Sequence, residues 1–292
     1  MSDANKHVNQ NTIVQTIAAD MDAVNTVIRQ KLHSDVILIN QIAEYIISAG
    51  GKRIRPVLIL LVANAHAYRG TAHHELAAVV EFIHTATLLH DDVVDESSMR
   101  RGRQTANALF GNAASVLVGD FLHSRSFQLM VSLNNMRVMQ ILSDATNVIA
   151  EGEVLQLLNM HDPDVTQESY LNVIRSKTAK LFEASAQLGA LIAGASEADI
   201  EAAAEYGRSL GTAFQLIDDV LDYAGDAAEI GKNVGEHLDT RFTDRLSRFK
   251  RFMDKVREQC AGEDPISALR SMVMDIDYEN WLRTNSSSDK AA

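Results

Sequence analysis

The chain has 292 residues, 46% of them hydrophobic and 23% charged, with 3 prolines and 15 glycines. This composition is typical of a globular, helix-rich protein and argues against a disordered chain or one built of strands and turns. A formal net charge of −12 argues against nucleic acid as the main partner, because binding a phosphate backbone needs clustered Lys and Arg. The single cysteine, Cys260, excludes an internal disulfide and a thiolate-held metal, so we expect a cytoplasmic protein.

Apolar residues recur at three- and four-residue spacing through most of the first 225 residues, which predicts an all-α fold. The predicted helices span 10–31, 35–48, 57–68, 73–95, 112–133, 137–159, 167–193 and 197–223. Gly50 and Gly51 end the second helix, Pro56 suits the first turn of the third, and Thr166 is the expected N-cap of the seventh. The N-terminus lacks a signal-peptide pattern and no apolar run approaches roughly 18 residues, so we expect no transmembrane segment.

Acidic clusters end two helices that are apolar almost all round, 73–95 and 197–223, both of which we therefore expect in the interior. The clusters are Asp91-Asp92-Val93-Val94-Asp95 and Asp218-Asp219-Val220-Leu221-Asp222. Carboxylates four residues apart share one helix face and repel each other, and the helix dipole adds to this at a C-terminus. Mg²⁺ would make the arrangement tolerable, so the predicted metal ligands are Asp91, Asp92, Asp95, Asp218, Asp219 and Asp222. A solvated helix end is the alternative for either cluster alone.

Two basic segments could bind a polyanion that such metal ions hold. Gly50-Gly51-Lys52-Arg53-Ile54-Arg55-Pro56 is a basic turn at a helix N-terminus, where exposed N–H groups favour an anion. Arg100-Arg101-Gly102-Arg103 follows the first acidic cluster. Ordinary solvent-exposed charge is the alternative for each segment alone, but their order beside the acidic clusters favours a diphosphate site. Lys177, Thr178 and Gln215 lie on helices that we expect to line the same cavity.

These motifs resemble the trans-isoprenyl diphosphate synthases, with the bacterial octaprenyl synthases as the nearest group. The resemblance runs from about residue 10 to about 238 and includes GGKRIRP, EFIHTATLLHDDVVDE, AEGEVLQL, SKTAKLFE, GTAFQLIDDVLDY and GKNVG. It implies an isoprenoid-synthase-type helical bundle with a central active-site cavity, acting as a homodimer with Mg²⁺. The implied reaction joins isopentenyl diphosphate to an allylic diphosphate, such as farnesyl diphosphate, and gives a long all-trans polyprenyl diphosphate for quinone side chains.

The resemblance also implies roles for individual residues. The expected ligands of isopentenyl diphosphate are Lys52, Arg55, His84 and Arg101. The residues expected to face the allylic diphosphate are Arg100, Lys177, Thr178, Gln215 and Lys232. The implied catalytic set is Asp91, Asp95, Lys177, Asp218 and Asp219.

Two small residues precede the first acidic cluster on its helix. Thr87 lies one turn before Asp91, and Ala86 is beside it. Because both side chains are small, neither would block the growing product near the acidic cluster. We therefore predict a long product, near eight isoprene units. The alternative is that Ala86 only permits close helix packing.

The C-terminal part departs from the family pattern. Residues 239–292 instead resemble an internal part of Rep-type DNA helicases, most visibly in Asp275-Ile276-Asp277-Tyr278-Glu279-Asn280-Trp281-Leu282. The chain has no G-x-x-x-x-G-K-[ST] loop, which excludes an ATP-driven motor. We predict a synthase domain over 1–238 whose C-terminal helices are missing or replaced, followed over 239–292 by an unrelated helical tail with a disordered end. A divergent native C-terminus is the alternative.

Other functions stay open at this point. A truncated or fused synthase could be inactive, or the chain could serve as a non-catalytic partner subunit with the same fold. A terpene cyclase uses a similar ionisation on a similar fold, but the second aspartate cluster and the basic turn argue against it.

Overall fold

In the computed structural model the described residues are 15–48, 50–100, 102–159 and 166–224, without the side chains of 159 and 220–224. The helices are α1 Ala18–Leu32, α2 Ile37–Ser48, α3 Ile54–Ala65, α4 Ala72–Val94, α5 Ala106–Phe110, α6 Asn112–Ser132, α7 Met136–Asn159, α8 Gln167–Ile174, α9 Lys180–Ile192 and α10 Glu197–Ala224. The strands β1 Met99–Arg100 and β2 Arg103–Gln104 form an antiparallel hairpin. The all-α prediction is confirmed. The predictions for residues 225–292 lie outside the described residues.

Helix α4 forms the centre of the core. Leu76, Val79 and Phe82 are fully buried on it, and the helix packs against α1, α3, α6 and α9. Burying each large apolar side chain contributes about 1.5–3 kcal/mol. The prediction that this helix lies in the interior is confirmed, and its packing fixes the position of the acidic cluster at its C-terminal end.

The described residues divide into two compact units, one ending at Thr212 and the other beginning at Ala213, so helix α10 passes from the first to the second. In the first unit α10 buries a narrow stripe that includes Ile200, Ala204 and Gly207, while Tyr206 is 59% exposed. An added Cβ at Gly207 would lie 2.5 Å from the Phe182 carbonyl oxygen, which shows how closely the small-residue stripe approaches α9. The prediction of a wholly interior helix is wrong for this part, because only the stripe is covered.

Local signals placed several helix ends correctly. Gly50 has a φ of +75° just after α2, as expected of a glycine that ends a helix. The Thr166 hydroxyl accepts a hydrogen bond from the Ser169 N–H at 3.1 Å, which confirms it as the N-cap of α8. Helix α3 begins at Ile54, three residues before the predicted start, because Arg53 takes a left-handed conformation, with a φ of +45°, that sets the helix entry.

Three features were not predicted. The single predicted helix over 167–193 is α8 and α9 joined by a π-helical turn, Arg175–Ala179. The other two are the short helix α5 and the β1–β2 hairpin, whose turn contains Gly102 at a φ of +72°. The Tyr45 hydroxyl donates to the Gln104 carbonyl oxygen at 2.6 Å and thereby ties this hairpin to α2. Within the described parts of the chain, no helix has the length and apolarity needed to cross a membrane.

Candidate active site

The first acidic cluster occupies the end of α4. Asp95 caps the helix, and its N–H donates to the Asp91 carbonyl oxygen at 2.7 Å. Burial raises the pKa of the Asp91 carboxyl, and the nearby charge of Asp95 raises it further, while Lys177 opposes the rise. The repulsion expected between these two carboxylates is therefore present, in addition to the larger effect of burial.

Lys177 lies against this cluster although it is far away in sequence. Its Nζ atom is 3.4 Å from Asp91 Oδ2 and 2.7 Å from Glu153 Oε2. Burial alone would lower the pKa of Lys177, but the charges of Asp91, Glu153 and Asp95 outweigh it, so the pKa is raised and the amine is protonated at neutral pH. The structure thus brings together two residues of the predicted catalytic set, Asp91 and Lys177.

Glu153 on α7 is a site residue that the sequence reasoning missed. Its Oε2 accepts the hydrogen bond from Lys177, and its Oε1 is buried with no hydrogen-bond partner among the described residues. Burial raises the pKa of Glu153, the Lys177 hydrogen bond opposes this, and Asp91 adds to the rise. The available signal was the Gly152-Glu153 pair inside the AEGEVLQL motif, where a mid-helix glycine marks a close approach.

Gly152 lets α7 approach the π-helical turn that carries Lys177 and Thr178. An added Cβ at Gly152 would lie 2.8 Å from Ser176 Cβ and 3.0 Å from the Lys177 backbone nitrogen. Thr178 is buried in the same turn. The turn and the glycine together hold the Lys177 side chain between Glu153 and the end of α4.

Replacing Gly152 with Ala is expected to lower the free energy of unfolding by about 1–3 kcal/mol, because the added methyl group overpacks a backbone contact. Thermal unfolding measures this loss. The Val154→Ala variant is the control, since Val154 is a 58% exposed neighbour on the same helix. An unchanged Tm in G152A would show that α7 and the π-helical turn can separate without cost.

Asp92 points to a different partner from Asp91. It is 1% exposed, and both Nε and Nη2 of Arg100 lie 2.8 Å from its Oδ1. The Asn107 amide also donates to the Asp92 carbonyl oxygen at 3.0 Å. Arg100 is thereby held beside the acidic end of α4, whereas the metal-ligand role of Asp92 and the substrate role of Arg100 stay predictions.

The basic turn before α3 contains two differently placed arginines. The Arg53 side chain contacts Asn25 and lies 3.8 Å from Glu81 Oε1. The Arg55 guanidinium lies 4.5 Å above the Phe182 ring, and its Nε has no hydrogen-bond partner within the described ranges. Burial lowers the pKa of Arg55 to about 10, with Glu81 opposing, so this guanidinium remains a cation at neutral pH.

A cleft beside α4 gathers several polar residues. His84 and Arg100, both predicted to bind substrate, line it together with Arg53 and Arg103, which belong to the two predicted basic segments but had no individual role assigned. Lys52 is exposed on the turn before α3. Arg101 and Lys232 were also predicted to bind substrate and lie outside the described residues.

The second acidic cluster belongs to the second unit. Gln215 Nε2 donates to Asp219 Oδ1 at 2.8 Å, and Asp218 is exposed. Asp222 lies on α10, but its side chain is not described. Gln215 and Asp219, both predicted site residues, are therefore hydrogen-bonded neighbours.

The two small residues of the predicted product tunnel lie on α4. Ala86 is 3% exposed and belongs to the hydrophobic core. The Thr87 hydroxyl donates to the His84 carbonyl oxygen at 2.8 Å. Both positions are as expected from the helix, and their effect on product length stays a prediction.

Comparison with known proteins matches the chain to one family and to several relatives. The family model described as polyprenyl synthetase matches residues 36–243. The chain is 59% identical over 231 residues to octaprenyl diphosphate synthase of Escherichia coli (strain K12), covering 79% of this chain and 72% of the relative. It is 46% identical over 227 residues to the geranyl-diphosphate-specific all-trans-nonaprenyl-diphosphate synthase of Rhodobacter capsulatus, covering 77% of this chain and 70% of the relative.

Solved structures give the same result. A decaprenyl diphosphate synthase from Rhodobacter capsulatus has a TM-score of 0.76 at 40% identity and covers 92% of this chain and 98% of its own. A polyprenyl synthase from Caulobacter crescentus CB15, complexed with calcium and isoprenyl diphosphate, has a TM-score of 0.76 at 43% identity and covers 92% and 84%. The acidic end of α4, the lysine held against it and these matches agree: the chain belongs to the polyprenyl synthetase family.

Proposed function

We propose that this chain is a prenyltransferase that joins isopentenyl diphosphate to an allylic diphosphate and makes a long-chain all-trans polyprenyl diphosphate, an octaprenyl chain for quinone side chains being the expected product. The observation that carries the proposal is the contact of protonated Lys177 with Asp91 at the end of α4. The 59% identity to an octaprenyl diphosphate synthase supports the class of product.

The acidic end of α4 fits a hard divalent cation. Asp91 and Asp95 offer carboxylate oxygens one turn apart, and burial together with the charge of Asp95 raises the pKa of Asp91, so a bound cation would favour its ionised form. Asp91 and Asp95 would therefore hold Mg²⁺. When bound, Mg²⁺ would supply electrostatic stabilisation of the charge that develops on the departing diphosphate.

Lys177 would provide the protein's own share of this stabilisation. Asp91 and Glu153 keep its amine charged and restrict its position, so the cation is in place before the allylic C–O bond ionises. Thr178, in the same π-helical turn, would face the allylic diphosphate with it. Arg100, fixed by Asp92, would contact the same diphosphate from the β1–β2 hairpin.

Isopentenyl diphosphate would bind at the basic turn and the adjoining cleft. Its proposed ligands are Lys52, Arg55, His84 and Arg101. Arg55 suits this role because its guanidinium stays cationic and is held against the Phe182 ring. The alkene would then attack the allylic cation, and loss of a proton to the released diphosphate would complete the elongation.

Further proposed ligands belong to the second unit. We propose Asp218, Asp219 and Asp222 as further Mg²⁺ ligands, with Gln215 and Lys232 toward the allylic diphosphate. The Gln215–Asp219 hydrogen bond supports a shared role for these two side chains.

We also propose that the enzyme works in the cytoplasm as a homodimer and has no nucleic-acid partner. Its synthase domain would cover 1–238, and the tail 239–292 would be of separate origin. The end of the family match at residue 243 supports this division.

The test is incubation of the full chain with farnesyl diphosphate, labelled isopentenyl diphosphate and Mg²⁺, followed by chromatography of the products. Extension to a long polyprenyl diphosphate is expected. A folded but inert chain would support the non-catalytic partner subunit instead. A cyclic hydrocarbon formed without isopentenyl diphosphate would indicate a terpene cyclase.

Replacing Ala86 with Phe is expected to shorten the products without abolishing turnover, because a bulky ring five residues before Asp91 would block the growing chain. The site is 3% exposed, so a cost of about 1–3 kcal/mol in stability is also expected. Ala78→Phe, at a fully buried alanine two turns earlier on α4, is the matched control for overpacking. Equal product lengths in A86F and the parent chain would leave only the packing role for Ala86.

A further inference from the structure

A second group of possible metal ligands lies at the opposite end of α4 from Asp91. Asp20 projects from α1, and His73 and His74 belong to the first turn of α4. At 1.5 Å per residue, His73 and Asp91 are about 27 Å apart along the helix. The group is therefore separate from the proposed diphosphate site.

The ligand atoms converge on one oxygen. Asp20 Oδ1 lies 3.0 Å from His74 Nε2 and 3.4 Å from His73 Nε2. In a tetrahedral zinc site with bonds of about 2.0–2.1 Å, neighbouring ligand atoms are about 3.3 Å apart. The two separations are thus close to those that a tetrahedral ion would impose, and all three ligand atoms lie within 4.8 Å of one another.

The surroundings hold these ligands in place. His73 is 4% exposed, and its ring packs edge-on against the Tyr68 ring and on the His74 ring, with centroids 5.2 Å and 3.9 Å apart, so its Nε2 is held toward Asp20 Oδ1. Asn64 on α3 donates to Asp20 Oδ2 at 3.1 Å, which orients the carboxylate and leaves Oδ1 toward the histidines. The Asp20 and His74 side chains are 26% and 16% exposed, so an ion could enter from solvent and keep a water ligand.

We propose that Asp20, His73 and His74 form a Zn²⁺ site that links α1 to α4. Two imidazole nitrogens and one carboxylate favour Zn²⁺, whereas the carboxylates at the other end of α4 favour Mg²⁺. Because the ligands come from separate helices, an ion that binds only the folded chain stabilises it. The ion would have a structural role, and the site does not depend on the proposed prenyltransferase activity.

The experiment titrates Co²⁺ into the full chain with saturating Mg²⁺ present, so that Mg²⁺ competes for the carboxylates near Asp91. The visible absorption of tetrahedral Co²⁺ reports binding, and Zn²⁺ should displace it and raise the Tm. The His74→Val variant should bind Co²⁺ at least about 10-fold more weakly and lose the Tm increase, since it lacks one of three ligands. The control is His33→Val, at an exposed histidine outside the cluster.

Three outcomes would overturn the proposal. One is the absence of tetrahedral absorption in the parent chain, which would leave a plain histidine–aspartate hydrogen bond. Another is equal Co²⁺ affinity in the parent and H74V. The last is absorption that persists in H74V and disappears in D91N, which would put the ion at the acidic end of α4. Prenyltransferase activity with Mg²⁺ is measured in parallel, so its loss or absence is a separate result.

Discussion

The Asp91→Asn variant is expected to lose at least about 100-fold in kcat, because it removes an oxygen ligand and a fixed charge at the site where the diphosphate departs. It is also expected to be at least as stable as the parent chain at neutral pH. The raised pKa of Asp91 means that the folded chain disfavours the ionised carboxylate. Its unfavourable contribution therefore sets in as the pH rises through the carboxyl range and is complete at neutral pH.

Steady-state kinetics and thermal unfolding at acidic and neutral pH measure the two effects. The stability advantage of D91N over the parent should appear as the pH rises from the acid range and should shrink when Mg²⁺ is added. Asp35→Asn, at an exposed aspartate outside the site, is the control. Full activity in D91N would remove the acidic cluster from the mechanism. A loss of activity that is matched by unfolding of D91N would contradict the catalytic role and assign Asp91 a structural one.

The Lys177→Met variant should also lose about 100-fold in kcat, since the cation that faces the departing diphosphate is gone. Its effect on stability should be opposite to that of D91N. Without Lys177, the carboxylates of Asp91 and Glu153, whose pKa values burial already raises, have lost their shared cation. The variant should therefore be less stable than the parent at neutral pH and regain stability as the pH falls and these carboxyls protonate.

Lys180→Met is the matched control for this variant. Lys180 lies just after the π-helical turn, and its Nζ is 2.6 Å from Glu183 Oε1, so its removal breaks a different ion pair. Kinetics and a pH series of unfolding midpoints compare the two variants. A pH-independent loss of stability in K177M would contradict the charge arrangement, and parent-like turnover would contradict the role of Lys177.

Much of the helical architecture could be predicted because its signals are local. Helix α4 could be recognised from its apolar run, and α8 from the Thr166 cap, since both depend on neighbours within a few residues. The π-helical turn was not predicted, since it packs closely against Gly152 of another helix and such a contact is not visible in the spacing of its own residues. The exposed side of α10 was missed for a similar reason: an apolar sequence does not say which of its faces the fold covers.

That Asp91 and Asp95 share a helix face at the end of an apolar helix follows from their positions in the chain, because a spacing of four residues fixes this geometry. The partners that the carboxylates meet depend on how the helices pack. Successive helical residues are rotated by about 100°, so Asp91 faces Lys177 while Asp92 turns inward to Arg100. Glu153 and the Asp20 cluster likewise became visible only once separate helices were packed together, since long-range contacts are set by how apolar faces fit and not by spacing along the chain.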